Sequence, residues 1–231
     1  MQKLSIFDIA GPIMVGPSSS HTAGACKIGQ FARALFHHTP LKVTFYLSGS
    51  FGQVYKGHAT DRALLAGVMK MRTSDPGIKE SFRIADEKHL KYKFIVKELG
   101  PKYHPNTVQI VLENHNPKNK MSVIGSSVGG GMVEIVKINN FDVLLKGVAG
   151  RYQSLVICHD KDPELLNELI FCIKKLGFEI MNTENANYKN QTLSILSIER
   201  QNGKGITLSQ VLDLEKISRV EFVRALSKLD K

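Results

Sequence analysis

From Gln153 to Val223 the hydrophobic pattern changes period in a set order, and no other feature constrains the fold as tightly. Gln153–Cys158 reads as a strand, Pro163–Leu176 as a helix, Phe178–Asn187 and Thr192–Glu199 as strands, Leu208–Lys216 as a helix and Arg219–Val223 as a strand. The order βαββαβ is the ferredoxin-like pattern. Asp162 stands where a helix cap is needed, Pro163 at the first helical position and Gly177 just past the helix end.

Upstream, periodicity predicts a helix over Ala23–Phe36 after a Gly/Pro/Ser loop, a strand over Leu41–Leu47 and a second helix over Asp61–Met71. A short helix is expected within Arg72–Glu87, followed by strand-like runs at Tyr92–Glu98, Thr107–Glu113, Met121–Ser127 and Met132–Ile138. Asn114-His115-Asn116-Pro117 and Gly129-Gly130-Gly131 mark turns between them. The character changes after Asn139-Asn140, which places a boundary near Leu144–Gly150 with Gly147 and Gly150 as joints. The expectation is an α+β protein: an N-terminal α/β domain over 1–146 and a ferredoxin-like βαββαβ domain over 147–231.

The chain has 231 residues, 42% of them hydrophobic, ample for ordinary cores. No apolar run is long enough to span a bilayer, and Met1–Asp8 lacks the basic region and apolar core of a signal peptide, so a cytoplasmic protein is expected, without a membrane partner. The formal charge of +10 raises the question of nucleic acid, but the lysines are spread along the chain rather than gathered in a stripe. No nucleic-acid partner is expected; an anionic small molecule or an acidic partner surface fits the charge equally well. Cys26, Cys158 and Cys172 include no Cys-x-x-Cys pair, so this chain does not supply the thiolates an iron–sulfur cluster normally needs.

The most informative segment is Gly16-Pro17-Ser18-Ser19-Ser20-His21-Thr22-Ala23-Gly24 at a helix entrance. One polar side chain suffices to cap a helix, and five in a row exceed that need. A helix N-terminus with hydroxyls from Ser18, Ser19, Ser20 and Thr22 and the His21 imidazole suits a carboxylate or phosphate. Gly49-Ser50 and Gly57-His58-Ala59-Thr60-Asp61-Arg62 lie between a strand and a helix; Thr60 or Asp61 serves as a cap, and His58 beside it can act as a base near neutrality. Lys102-Tyr103-His104-Pro105-Asn106 precedes a strand and reads by itself as a turn. The glycines after Ser126-Ser127-Val128 permit close backbone approach but match neither a Walker A loop nor a dinucleotide fingerprint.

These segments resemble the β region of the iron–sulfur-dependent L-serine dehydratases. The resemblance rests on Phe7-Asp8 with Gly16 through Thr22, on Gly49-Ser50 with Lys56-Gly57-His58-Ala59-Thr60-Asp61, on His104-Pro105-Asn106 and on Ser127-Val128-Gly129-Gly130-Gly131. It covers about the first 140 residues in the family's order. The N-terminal domain is also similar to the allosteric substrate-binding domain of some D-3-phosphoglycerate dehydrogenases, and the C-terminal residues resemble an ACT domain. Glu164 stands where effector-binding ACT domains usually have glycine, which implies a structural or subunit-contact role.

The resemblance implies the β subunit of an L-serine ammonia-lyase that yields pyruvate and ammonia, inactive or nearly so without an α subunit carrying a [4Fe–4S] cluster. No metal ligand is expected in this chain. It implies His58, Thr60 and His104 as catalytic residues, with His58 the first choice for the base. Ser18, Ser19, Ser20, His21, Thr22, Gly49, Ser50 and Asn106 would bind L-serine, and the ACT domain would mediate self-association. The other resemblance implies a module of the phosphoglycerate dehydrogenase type that senses an amino acid or anion without catalysis.

Overall fold

The computed structural model describes residues 13–116, 119–146 and 153–226; Phe7-Asp8, Pro117 and the joints Gly147 and Gly150 lie outside them. The chain forms two compact units that divide within residues 139–149.

The first unit is built on a six-stranded sheet of β1 (Lys42–Ser48), β2 (Lys91–Val96), β3 (Thr107–Glu113), β4 (Lys120–Gly129), β5 (Met132–Ile138) and β6 (Phe141–Lys146). Its order is β2-β1-β3-β4-β5-β6, with β1 and β2 parallel and the β1–β3, β3–β4 and β4–β5 pairs antiparallel. Alternation decides which face is buried: Val43, Phe45 and Leu47 of β1 and Val108, Ile110 and Leu112 of β3 are fully buried on one side. Helix α1 (Gly24–Phe36) covers that side, with Ala25, Ile28, Ala32 and Leu35 at helical spacing and fully buried. Gly125 of β4 lets α1 settle on the sheet, since a Cβ there would come within 2.7 Å of the Ile28 side chain. Helices α2 (Ser50–Val54), α3 (Thr60–Val68) and α4 (Ser81–Glu87) complete the unit.

Three details differ from expectation. The segment after Gly49 winds into α2, too short for periodicity to reveal. After Asn139-Asn140 the chain continues into a further strand that the periodicity did not predict: Asn139 takes the left-handed conformation (φ 50°) and its side-chain carbonyl accepts from the Ser122 N–H, turning the chain into β6. Phe141, Val143 and Leu145 alternate as a strand should, but the exposed Leu144 masks the pattern. Finally, neither Thr60 nor Asp61 caps α3. Ala59 occupies the cap position in the left-handed region (φ 53°) with no side-chain bond, leaving Thr60 as the first helical residue.

The second unit shows the βαββαβ order: β7 (Gln153–Asp160), α5 (Pro163–Lys175), β8 (Glu179–Tyr188), β9 (Gln191–Glu199), α6 (Leu208–Glu215) and β10 (Val220–Leu226). The sheet runs β10-β7-β9-β8, antiparallel throughout. Leu165, Leu169 and Ile173 form the stripe of α5 that packs on Leu155, Ile157, Leu196 and Ile198. The Asp162 side chain accepts from the Glu164 N–H at 2.9 Å, and Gly177 leaves the helix with φ 82°. Helix α6 has a reciprocal capping box between Thr207 and Gln210. Thr207→Ala is expected to lower stability by about 1 kcal/mol, read from the urea midpoint; an unchanged midpoint would show the box to be inert.

Candidate functional site

The approach to α1 is wound more loosely than an α-helix. Ser19–Ala23 form a π-helical turn in which the Ala23 and Gly24 N–H groups reach back five residues to the Ser18 and Ser19 carbonyls. Ser18 performs the capping, accepting the His21 N–H at 3.1 Å, and its hydroxyl lies 3.3 Å from that of Ser20. The Thr22 hydroxyl donates to the His58 carbonyl at 3.0 Å, tying this turn to the loop ahead of α3. Gly16 is required here: a Cβ would fall 2.4 Å from Thr22 Cγ2, at a φ of +136°.

His21 is held at both ring nitrogens. Nδ1 lies 3.1 Å from Ser20 Oγ and Nε2 lies 3.0 Å from Ser50 Oγ, while the ring meets Phe51 edge-on. The His58 ring is 4.9 Å away, centroid to centroid. Its Nδ1 is buried and has no hydrogen-bond partner. The Thr60 and Ser127 hydroxyl oxygens are in the same condition. Buried polar atoms are nearly always satisfied, so these atoms at the start of α3 and on Ser127 are left for a group from outside the chain to satisfy.

Ser50 is delivered by a turn that glycine adopts without strain. Gly49 adopts φ 55° and ψ −130°, and a Cβ there would lie 2.5 Å from the Pro105 carbonyl, so the His104–Asn106 loop presses directly on it. Glu98 latches the turn: its carboxylate accepts from the Gly49 N–H at 3.3 Å and from the Ser48 hydroxyl at 3.2 Å. Sequence reasoning missed Glu98, because only the parallel pairing of β1 with β2 brings it there. Asn106 exchanges backbone contact with Ser127, and Ser127 in turn abuts Gly24, where a Cβ would fall 2.1 Å from its hydroxyl. The three motif loops therefore meet at the start of α1.

The expected residues are not equivalent within this cluster. Ser18, Ser20, His21, Thr22, Ser50 and His58 are joined by direct contacts. Ser19 contributes its carbonyl to the Gly24 N–H. His104 is exposed, and its Nδ1 accepts the Asn106 N–H at 3.1 Å; it adjoins the cluster through Pro105 rather than by touching either imidazole.

Burial disfavours charge on two groups near the centre. Burial, and secondly the charge of His58, hold the His21 pKa below 6.5. Burial pushes the Asp61 carboxyl up, partly offset by the Arg62 N–H that its side chain accepts. For His21 the unfolded chain binds the proton more readily than the folded one. Its stabilisation is thus present above pH 6.5 and is lost as the pH falls through the folded value. His21→Asn should accordingly flatten the fall in urea midpoint between neutral and mildly acidic pH; an unchanged slope would show that His21 titrates normally.

Residues 5–137 match the family model described as serine dehydratase beta chain. The L-serine dehydratase beta chain of Peptoniphilus asaccharolyticus is 37% identical over 227 residues, 96% of this chain and 99% of that one. The chain belongs to the serine dehydratase beta chain family. A probable L-serine dehydratase beta chain of Bacillus subtilis (strain 168) is 35% identical over 199 residues, covering 86% and 88% of the two chains. The matched family region takes in every residue of the cluster, from Ser18 to Ser127.

Proposed function

We propose that this chain is the β subunit of an iron–sulfur-dependent L-serine ammonia-lyase and forms the amino-acid side of a site shared with an α subunit. The observation that carries this reading is the unequal pair of imidazoles: His21 has both nitrogens engaged, whereas His58 has a buried nitrogen with no partner. A doubly engaged imidazole positions a substrate; one with an unengaged nitrogen can accept a proton. The Ser18–Thr22 turn leading into α1 and the surrounding hydroxyls would receive the substrate carboxylate, where the positive end of the helix dipole favours an anion. Ser50, held on His21, and Asn106 would orient the amino acid. His58 would then remove the α-proton as the β-hydroxyl departs, giving an enamine that tautomerises and hydrolyses to pyruvate and ammonia.

The thiols of this chain do not fit a cluster. Cys26 and Cys158 are buried in different units, and no group of three or more metal-ligating side chains occurs among the described residues. In this reading the [4Fe–4S] cluster would be held by the α subunit, and no step here runs through it. In the same reading the first unit is an allosteric-substrate-binding-type domain, and the second is an ACT domain that self-associates. The exposed edge strand β8 supports the latter role. No helix among the described residues is long and apolar enough to cross a membrane, and a cytoplasmic site of action is part of the proposal.

The test is anaerobic co-expression with a cysteine-rich partner chain, followed by pyruvate formation from L-serine. Turnover should require both chains. Tight serine binding by this chain alone, with no turnover in any combination, would instead mark a sensor.

A further inference from the structure

At the opposite end of α1 a cleft of about 210 Å³ opens between the ends of three helices. Arg33, Thr39, Pro40, Lys70, Lys88 and Leu90 line it. We propose that this cleft binds a phosphate-type oxyanion, at a site separate from the serine pocket. It lies roughly 16 Å along α1 from Thr22, at about 1.5 Å per residue.

Arg33 carries the argument. It is only 8% exposed, and its guanidinium spends one donor on the His37 carbonyl at 3.0 Å. Burial alone lowers its pKa, with no carboxylate acting on it. No acidic residue lines the cleft. Among the described residues the other arginine buried to the same degree, Arg224, is paired with Glu215 at 2.8 Å. A buried charge is normally paired because desolvation is costly, and an incoming anion would supply the partner that Arg33 lacks. The unused guanidinium donors match the planar, bidentate recognition of oxyanions, and Lys70 and Lys88 add point charges at the mouth.

Cations at helix C-termini also answer the helix dipole, which accounts for the exposed Lys70 and Lys88. It does not account for burying a guanidinium beside a cavity. The last carbonyls of α3 are moreover already taken: Leu65, Gly67 and Ala66 accept from the Met69, Lys70 and Met71 N–H groups. The space far exceeds the ~10–15 Å³ a single water requires and admits a phosphate with a short organic tail. Pro40 and Leu90 add apolar lining, which strengthens the attraction by excluding water.

The test is thermal unfolding of the full chain in inorganic phosphate, in glycerol phosphate and in chloride at matched ionic strength. Because the readout is unfolding, it is independent of the serine reaction. Phosphate at about 10 mM should raise the midpoint by roughly 3–6 °C over chloride. The Lys70→Ala/Lys88→Ala variant, altered only at exposed residues, should lose more than half of that shift, and Arg33→Gln, where it folds, should lose all of it. A glycerol phosphate shift equal to or larger than that of phosphate identifies an ester as an accepted ligand; a smaller one identifies the free ion. Equal shifts in wild type and the double-lysine variant, or none beyond chloride, overturn the proposal.

Discussion

If the proposed function holds, His58→Ala, measured in the assembly with an α subunit, is expected to lower kcat by about 10²–10⁴-fold, the usual contribution of a positioned general base, while KM changes little. The expectation follows from what each imidazole touches. His21 is clamped between Ser20 and Ser50, and burial lowers its pKa, so both its nitrogens are engaged and protonation is disfavoured. His58 rides on a turn set by the left-handed Ala59 and pinned by the Thr22 hydroxyl at its carbonyl, which fixes the backbone and leaves the ring nitrogen unclaimed. Its removal deletes no described side-chain hydrogen bond, so the fold should survive. The measurement is steady-state turnover of L-serine with the cluster content checked by absorbance. Turnover within a fewfold of wild type, with the cluster intact, would move the base elsewhere; loss of KM without loss of kcat would make His58 a binding residue.

Gly67→Ala is expected to destabilise the chain by about 1–3 kcal/mol, the range for overpacking a close-packed contact. An alanine in an exposed helix interior would instead stabilise by up to about 1 kcal/mol, so the sign of the effect is informative. Helices α1 and α3 cross at reciprocal glycines. A Cβ on Gly67 would lie 2.0 Å from the Cys26 carbonyl oxygen, and one on Gly29 would lie 2.5 Å from that of Leu64. Both obstacles are backbone, so no side chain can swing aside; the helices themselves must separate. Their N-terminal ends carry Ser18–Thr22 and His58–Thr60, so the same substitution should also loosen the imidazole pair and depress turnover. The urea midpoint by circular dichroism reads the first effect. A midpoint unchanged or raised would mean that the helices can part freely.

Much of the fold was legible because its signals are local. The cap Asp162, the opening Pro163, the terminating Gly177 and the stripe Leu165–Leu169–Ile173 each depend only on neighbours a few residues away. The misreadings arose where a longer-range interaction decides the conformation. Strand β6 was missed because the turn into it is held by Ser122 on another strand, whose N–H the Asn139 side chain accepts, and Thr60 fails to cap because Ala59 ahead of it takes the left-handed conformation. Glu98 had no sequence signal at all, since its task exists only once β1 and β2 lie side by side.

What the sequence determined by itself was the inventory: which hydroxyls and imidazoles gather on which loops, and the period of each element between them. Those follow from bonding within a few residues. Tertiary structure alone decided the pairing, placing His21 against His58 and Ser50, Glu98 beneath Gly49, and Ser127 against Gly24. These partners are separated by dozens of residues and meet only after the sheet has set the register of its strands and two glycine-lined helices have closed upon each other.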